Sequence, residues 1–175
     1  MKSETNGWGE AMAAATDGNF PQRVLVQTRD GGKSWNEVHL PAPYTSFITS
    51  FFLDETTAWV IPGPGAGFET SPTPLIRTTD GGKSWQKFMI PGGTSEITFV
   101  DKQNGWAMDV KQKGQDVMDQ NLAIFHTTDG GKTWRQMSKA QTGTTNITPG
   151  PFPSSGFGDG TFLNPQKGWF VTGSM

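Results

Sequence analysis

The sequence predicts an all-β fold made of repeated four-stranded units, and two repeated motifs and the pattern of apolar runs support this prediction. One octapeptide occurs three times with small changes, and its copies begin at residues 28, 78 and 127. The intervals of 50 and 49 residues (78 minus 28, and 127 minus 78) lie in the range in which stacked supersecondary units repeat. We refer to the octapeptides at residues 28–35, 78–85 and 127–134 as boxes.

A second motif keeps the same phase as the boxes. It consists of Phe-x-Asp or Phe-x-Asn followed by a tryptophan, and it spans residues 52–59, 99–106 and 162–169, while residues 6–8 repeat only its second half. Six of the seven tryptophans therefore form pairs, namely Trp8 with Trp35, Trp59 with Trp85 and Trp106 with Trp134. We expect both tryptophans of each pair to be mostly buried in a layered core.

Apolar runs within one repeat predict four strands joined by turns. They are short and rich in β-branched or aromatic residues, and Gly, Pro, Asp or Asn bounds each of them. In the second repeat, strands a to d are predicted near residues 46–53, 59–61, 75–78 and 84–90. Four strands in about 50 residues is the size of a β-propeller blade.

The chain as a whole is predicted to be a single β-propeller segment of about three antiparallel blades plus the start of a fourth. The predicted blades are residues 1–41 (strands b to d), 42–92, 93–140 and 141–175 (strands a and b only). A closed propeller has 4 to 8 blades. We therefore expect either a piece of a longer chain or copies that assemble. Two copies that each supply three blades would form a six-bladed homodimer.

The boxes fall between strands c and d and are predicted to be structural. Asp-Gly-Gly favours a tight hairpin because glycine adopts positive φ without steric cost, and the carboxylate can accept hydrogen bonds from the amides of the turn. The threonine hydroxyl can reach the same carboxylate or the backbone, and the tryptophan ring can pack over the turn. The structural residues predicted are Thr28, Asp30, Gly32, Trp35, Thr78, Asp80, Gly82, Trp85, Thr127, Asp129, Gly131 and Trp134.

All three boxes match the pattern Ser/Thr-x-Asp-x-Gly-x-x-Trp in full, so the chain resembles the Asp-box, or BNR-repeat, propellers of the sialidase-like superfamily. With the second motif in phase, the resemblance covers nearly the whole chain and is strongest to the photosystem II assembly or stability-factor type of bacterial propeller. It implies a secreted or cell-envelope location outside the cytoplasm. Sialidases, sortilin-type receptors and xyloglucan-cleaving enzymes share the same box, so it indicates the fold rather than the function.

Composition excludes several classes of function. With 14 basic and 16 acidic residues, the chain has no electrostatic basis for binding nucleic acid or an anionic membrane. It has no cysteine, which excludes disulfides, thiolate metal sites and cysteine nucleophiles. No run approaches the ~18 apolar residues of a membrane span, and residues 1–19 lack a signal-type apolar core, so an export signal would lie upstream. We predict no cofactor, and His39 and His126 are too few and too far apart in the repeat for a metal site.

Catalysis is predicted to be absent, with no catalytic residue assigned. The resemblance to sialidases would require three arginines on the substrate carboxylate and a tyrosine nucleophile, but three of the four arginines lie in or beside boxes and Tyr44 is the only tyrosine. Glycosidases of the xyloglucan-cleaving kind need two carboxylates about 5 to 10 Å apart, and Asp109 with Asp116 is the candidate pair in this sequence. A piece of a glycoside hydrolase is therefore the alternative to a binding or assembly scaffold.

Long and dissimilar connections identify the predicted binding face. The b to c connections at residues 9–23, 62–74 and 109–121 and the d to a connections at 41–44, 91–94 and 139–158 emerge at one end of the blades. Binding residues lie disproportionately on such loops. The candidates for binding a protein or a glycan are Tyr44, Phe68, Glu69, Asp109, Asp116, Phe152 and Phe157. The alternative is that the aromatic rings only pack the loops onto the blades.

Overall fold

The computed structural model describes residues 5–14, 22–63, 72–94, 96–112, 120–141, 160–164 and 167–170. Within these ranges the chain is all-β and its strands form antiparallel sheets of two to four strands. The predicted β-propeller segment is therefore confirmed. Among the same residues there is no helix with the length and apolar character needed to cross a membrane.

Seven strands form the first two sheets. The first sheet has the order β1-β2-β3, with β1 at Gly7–Ala13, β2 at Gln22–Thr28 and β3 at Asn36–Val38. The second has the order β4-β5-β6-β7, with β4 at Ser46–Phe52, β5 at Ala58–Gly63, β6 at Thr73–Thr78 and β7 at Gln86–Ile90. Each predicted strand of the second repeat is present within two residues at either end.

The remaining strands form two more sheets. The third has the order β11-β10-β9-β8, with β8 at Glu96–Phe99, β9 at Gly105–Gln112, β10 at Gln120–Thr127 and β11 at Arg135–Gln141. The fourth pairs β12 at Gly160–Asn164 with β13 at Lys167–Phe170. The chain divides into two compact units, Met1–Glu69 with Pro74–Phe88 and Thr70–Thr73 with Met89–Met175. The predicted blade boundaries stay a prediction.

The second motif sets the pairing of strand a with strand b. Its phenylalanine lies opposite the residue before its tryptophan in all three copies, as Phe52 opposite Ala58, Phe99 opposite Gly105 and Phe162 opposite Gly168. A Cβ added at Gly105 would overlap the Phe99 ring. The small residue at this position therefore makes room for the phenylalanine, which fixes the register of the pair.

The core of the first unit lies between its two sheets. Leu25, Phe47, Val60 and Ile76 form a buried cluster, and Trp8 is one of the partly buried residues that pack against it. The Trp8 ring stacks on Phe52 with centroids 5.4 Å apart and planes within 8°. Strand β5 is buried along its whole length, as expected for a strand covered on both faces.

The expectation that both tryptophans of every pair are mostly buried is wrong for one of the six. Trp59 and Trp106 are buried, whereas Trp35 is 44% exposed. In the third sheet Trp134 meets the edge of Phe99 from β8 at 6.2 Å. The first sheet has no strand equivalent to β8 among the described residues, so Trp35 lacks the corresponding phenylalanine.

Candidate functional site

The three boxes form the same hydrogen-bonded turn at one end of their sheets, which we call the turn end. The Thr28 hydroxyl donates to Asp30 Oδ1 at 2.8 Å and accepts from the Gly32 amide at 2.8 Å. The Ser34 amide and hydroxyl donate to the two oxygens of Asp30 at 2.9 and 2.6 Å. The boxes that begin at Thr78 and Thr127 repeat all four bonds with distances that agree within 0.1 Å.

Two glycines in each box adopt a backbone that other residues avoid. The φ angles are 75° and 83° at Gly81 and Gly82, and they are similar in the other two boxes. Positive φ carries no steric cost only for glycine. The box therefore needs this pair of residues for its backbone as much as it needs the aspartate for its hydrogen bonds.

The aspartate of the second motif forms a turn of its own at the same end. Asp54 Oδ1 accepts the amides of Thr56 and Thr57 at 2.9 and 2.7 Å. Asp101 Oδ1 accepts the amides of Gln103 and Asn104, both at 2.7 Å. These are turns in which a short acidic side chain caps the backbone amides that follow it.

A backbone bond joins each box to the segment that precedes strand b of the same sheet, and in the second and third sheets that segment is the turn capped by Asp54 or Asp101. The first box glycine donates its amide to the residue three positions before the strand-b tryptophan, as Gly31 to Thr5 at 2.8 Å, Gly81 to Thr56 at 2.9 Å and Gly130 to Gln103 at 2.8 Å. The sequence shows that the two motifs share a phase, but this bond shows why. Together they close the turn end of one sheet.

Hydrogen bonding lowers the pKa of the turn-end carboxyls. The Ser34 and Ser84 hydroxyls, together with the amides and threonines of the boxes, lower the pKa of Asp30 and Asp80 to about 2. Partial burial by itself would raise the pKa of Asp54, but the bonds from Thr56 and Thr57 outweigh it and leave the pKa well below its usual range. These groups are therefore ionised and engaged in the fold at neutral pH.

A cleft of about 230 Å³ opens at the turn end of the first unit, with Gln27, Glu55, Asp80 and Lys83 among its lining residues. Gln27 Nε2 donates across it to the Glu55 carbonyl at 3.1 Å, and Asp80 is held by its box. The cleft therefore lies between two sheets, and its main polar groups already form hydrogen bonds within the protein.

At the opposite end of the sheets, which we call the loop end, the connections between strands differ from their predicted boundaries. Strands β1, β5 and β9 run on to Ala13, Gly63 and Gln112, so the connections that follow them are shorter than residues 9–23, 62–74 and 109–121. Glycine, alanine and charged residues at these positions have low strand propensity. Cross-strand pairing, as of Glu10 with Leu25, overrides that propensity.

Asp109 lies in β9 opposite Ala123, not in a loop. It is 4% exposed, and its carboxylate faces Gly92 so closely that a Cβ there would lie 2.5 Å from Oδ2. The predicted position in a loop is therefore corrected, because β9 continues past this residue. A role for Asp109 in binding stays a prediction.

Tyr44 is half-buried and packs against the core cluster of the first unit. The Lys87 ammonium lies 5.6 Å from the centroid of its ring. This placement favours the alternative in which the ring packs a connection onto the sheets. The other candidates, Phe68, Glu69, Asp116, Phe152 and Phe157, lie outside the described residues.

The structure shows a polar network at the loop end of the first unit that the sequence did not single out. Arg23 pairs with Glu10, donates to the Ile48 carbonyl and lies over the Phe47 ring at 5.0 Å. Glu10 also accepts the Ser50 hydroxyl at 2.6 Å. The signal available in the sequence is that Glu10 is charged where the other repeats place Ile61 and Met108.

An exposed methionine adjoins this network. Met12 lies opposite Arg23 in the β1–β2 pair and is 62% exposed. We call Glu10, Met12, Arg23 and Ser50 the loop-end patch. In this patch the exposed apolar side chain of Met12 adjoins an ion pair that further contacts hold in place. In the part of the chain that the structure describes, no three His, Cys, Asp or Glu residues are grouped to hold a metal ion.

Comparison with known proteins gives a family match and a similarity to a solved structure. A Sortilin-Vps10 family model, described as "Sortilin, neurotensin receptor 3", matches residues 22–148. The chain is similar to the solved structure "YCF48 bound to D1 peptide", with a TM-score of 0.49 and 22% identity over 77% of this chain. It spans 36% of that structure's length. No curated protein matches the chain.

Proposed function

The chain belongs to the Sortilin-Vps10 family, and from that premise we propose that it is a non-catalytic binding or assembly scaffold. Its loop end would present the contact surface, and the partner would be a protein or a glycan. The turn end supports a contact surface at the loop end, because the hydrogen-bonding groups of the boxes already bond to one another within the fold. Binding specificity would then lie at the opposite end.

The loop-end patch is the observation on which the proposal rests. Arg23 and Glu10 remain partly exposed, at 44% and 31% of their side chains, while three further contacts hold them in place. A held ion pair loses little conformational entropy when a partner binds. Met12 beside it supplies an adaptable apolar surface. Peptides combine apolar and charged groups in this way, so we favour a protein partner.

Variants of the patch test this proposal. The chain would be screened against a random peptide display library and a glycan array, and the selected ligands titrated by calorimetry. We expect Met12→Ala and Arg23→Gln each to weaken binding about tenfold, which corresponds to ~1.4 kcal/mol. Met137→Ala and Arg135→Gln are matched controls, because Met137 is 54% exposed on β11 and Arg135 is exposed beside a box. Equal losses in the controls would contradict the proposal.

Activity assays on the same preparation test the alternative that the chain is a piece of a glycoside hydrolase. A panel of chromogenic sialosides and β-glucans should give no turnover above the buffer. Turnover that disappears in Asp109→Asn or Asp116→Asn would instead establish catalysis by a loop-end acid.

We further propose an extracytoplasmic location, secreted or in the cell envelope, on the resemblance alone. Fractionation of cells that express the natural gene tests it, and recovery in the cytoplasmic fraction would refute it.

A further inference from the structure

In the part of the chain that the structure describes, no strand lies on the free side of β1 in the first sheet. Among the described residues β1 pairs only with β2, whereas the equivalent strands β5 and β9 each lie between two neighbours. An exposed strand edge presents unpaired amides and carbonyls to other chains. The position beside β1 corresponds to the one that β4 occupies in the second sheet and β8 in the third.

The side chains at this edge match a strand that carries a phenylalanine. By the repeat, Gly7 corresponds to Gly105, where a small residue leaves room for Phe99. The Trp35 ring lies over β1, because a Cβ added at Gly9 would approach it to 3.1 Å. It is 44% exposed where its equivalent Trp134 contacts Phe99. Gly7 therefore leaves space for a phenylalanine ring, and Trp35 presents an exposed ring that the phenylalanine would cover.

We propose that β12 of a second copy of this chain adds to β1, with its Phe162 opposite Gly7 and against Trp35. β12 already makes this pairing in its own sheet, where Phe162 lies opposite Gly168. The register then places Thr161 opposite Trp8. This inference does not depend on the proposed function, since the strand covers Gly7 to Gly9 and leaves the loop-end patch free.

β12 is the strand that a second copy can release at the lowest cost. It belongs to a two-stranded sheet, while β4 and β8 belong to four-stranded sheets. A two-stranded sheet is at best marginally stable, and three or more strands with a covered apolar face are needed for independent stability. The exchange loses one strand pair and forms one. The new pair completes a four-stranded sheet and covers Trp35.

Light scattering on the full chain over a dilution series tests the proposal. We expect a species of about 38 kDa, twice the 19.0 kDa of one chain. Gly7→Val fills the space for Phe162 and should give the monomer, as should Phe162→Ala. The exposed Met137→Ala on β11 is the control and should remain dimeric. A parent chain that stays at 19.0 kDa at all concentrations overturns the proposal, as does a dimer that all variants retain.

Cross-linking tests the register even if a variant folds poorly. The chain has no cysteine, so a Gly7→Cys chain mixed with a Phe162→Cys chain should form a disulfide-linked heterodimer on oxidation. Thr161→Cys is the matched control because adjacent strand residues point to opposite faces. Its mixture with Gly7→Cys should form little of that product. Equal yields in the two mixtures, or none in either, would overturn the proposed pairing.

Discussion

Each box aspartate stabilises the turn through specific contacts rather than through net charge. Asp80 receives the Thr78 hydroxyl, the Ser84 amide and the Ser84 hydroxyl, while the Thr78 hydroxyl also accepts the Gly82 amide. Hydrogen bonds to an ionised acceptor are about twice as strong as those between neutral groups. A change that keeps the shape of the side chain but removes its charge therefore tests the box.

Asp80→Asn is expected to lower the melting temperature at pH 7 and to reduce the loss of stability in acid. The pKa of Asp80 is about 2 in the folded chain and about 3.8 when unperturbed. Its stabilising contribution is thus complete above about pH 4 and is lost as the pH falls toward 2. Thermal unfolding between pH 2 and pH 7 measures the difference from the parent.

Lys83→Gln in the same box is the control for Asp80→Asn and should follow the parent curve. Ser84→Ala should move the pKa of Asp80 up toward its usual value, because the Ser84 hydroxyl is the largest cause of the shift. Carboxyl titration by NMR measures it. An unchanged pKa in Ser84→Ala would contradict the assigned role of the hydroxyl.

His126 gives stability a dependence on pH in a different range. Its ring stacks on Trp106 with centroids 4.7 Å apart, and burial lowers its pKa from the usual 6.5. The unfolded chain then binds the proton more readily, so stability should fall as the pH drops below about 6.5. In His126→Gln, the midpoint of chemical denaturation should change less between pH 7 and pH 5 than it does in the parent chain. A slope in His126→Gln equal to that of the parent would contradict this role of the histidine.

At the scale of the element, boxes with the same hydrogen-bonded turn lie in different surroundings. Gly32 and Gly82 occupy the same box position with φ of 90° and 83°. A Cβ at Gly82 would overlap Val38 Cγ1, whereas the nearest atom to one at Gly32 is Trp35 Cζ2 at 3.8 Å. The second box thus packs on the first sheet through the space that its glycine leaves.

Gly82→Ala is expected to cost more stability than Gly32→Ala. Both variants place a side chain at positive φ, which costs roughly 1–2 kcal/mol. Only Gly82→Ala also overpacks Val38, at a further cost of about 1–3 kcal/mol. Urea denaturation measures both. Val38→Ala combined with Gly82→Ala should recover part of the additional loss, and equal costs in the two glycine variants would contradict the packing argument.

At the scale of the whole molecule, the first unit concentrates its burial in the middle strands of its second sheet. β5 is buried throughout and β6 at all positions except Arg77, whereas β3 is mostly exposed. Backbone amides in buried strands are better protected from hydrogen exchange than those in exposed strands. We expect native-state hydrogen exchange to be slowest in β5 and β6 and fastest in β3. Equal protection in all three strands would contradict this ordering.

Much of this fold could be predicted from the sequence because its turns depend on local chemistry. Asp-Gly-Gly and the flanking threonine specify a turn whatever surrounds them, so the boxes and the strands beside them were located within two residues in the second repeat. The exposure of Trp35 could not be predicted, because it depends on which strand lies beside β1. The Arg23 network also depends on tertiary contacts, since Glu10, Arg23 and Ser50 are far apart in the chain. Tyr44 and Asp109 were identified by residue type and by their place in predicted connections, and neither of these encodes burial.

The backbone bonds that join the box glycines to the neighbouring turns also bear on protein engineering. Gly81 to Thr56 and Gly130 to Gln103 are bonds between main-chain atoms, so they survive substitution of the side chain at the accepting residue. The hydrogen bonds that repeat from box to box and these backbone bonds both lie at the turn end. A randomised segment grafted between Gly63 and Thr73, at the other end, would leave them intact. The sheets could in this way serve as a display framework whose variable surface is chosen independently of its folding determinants.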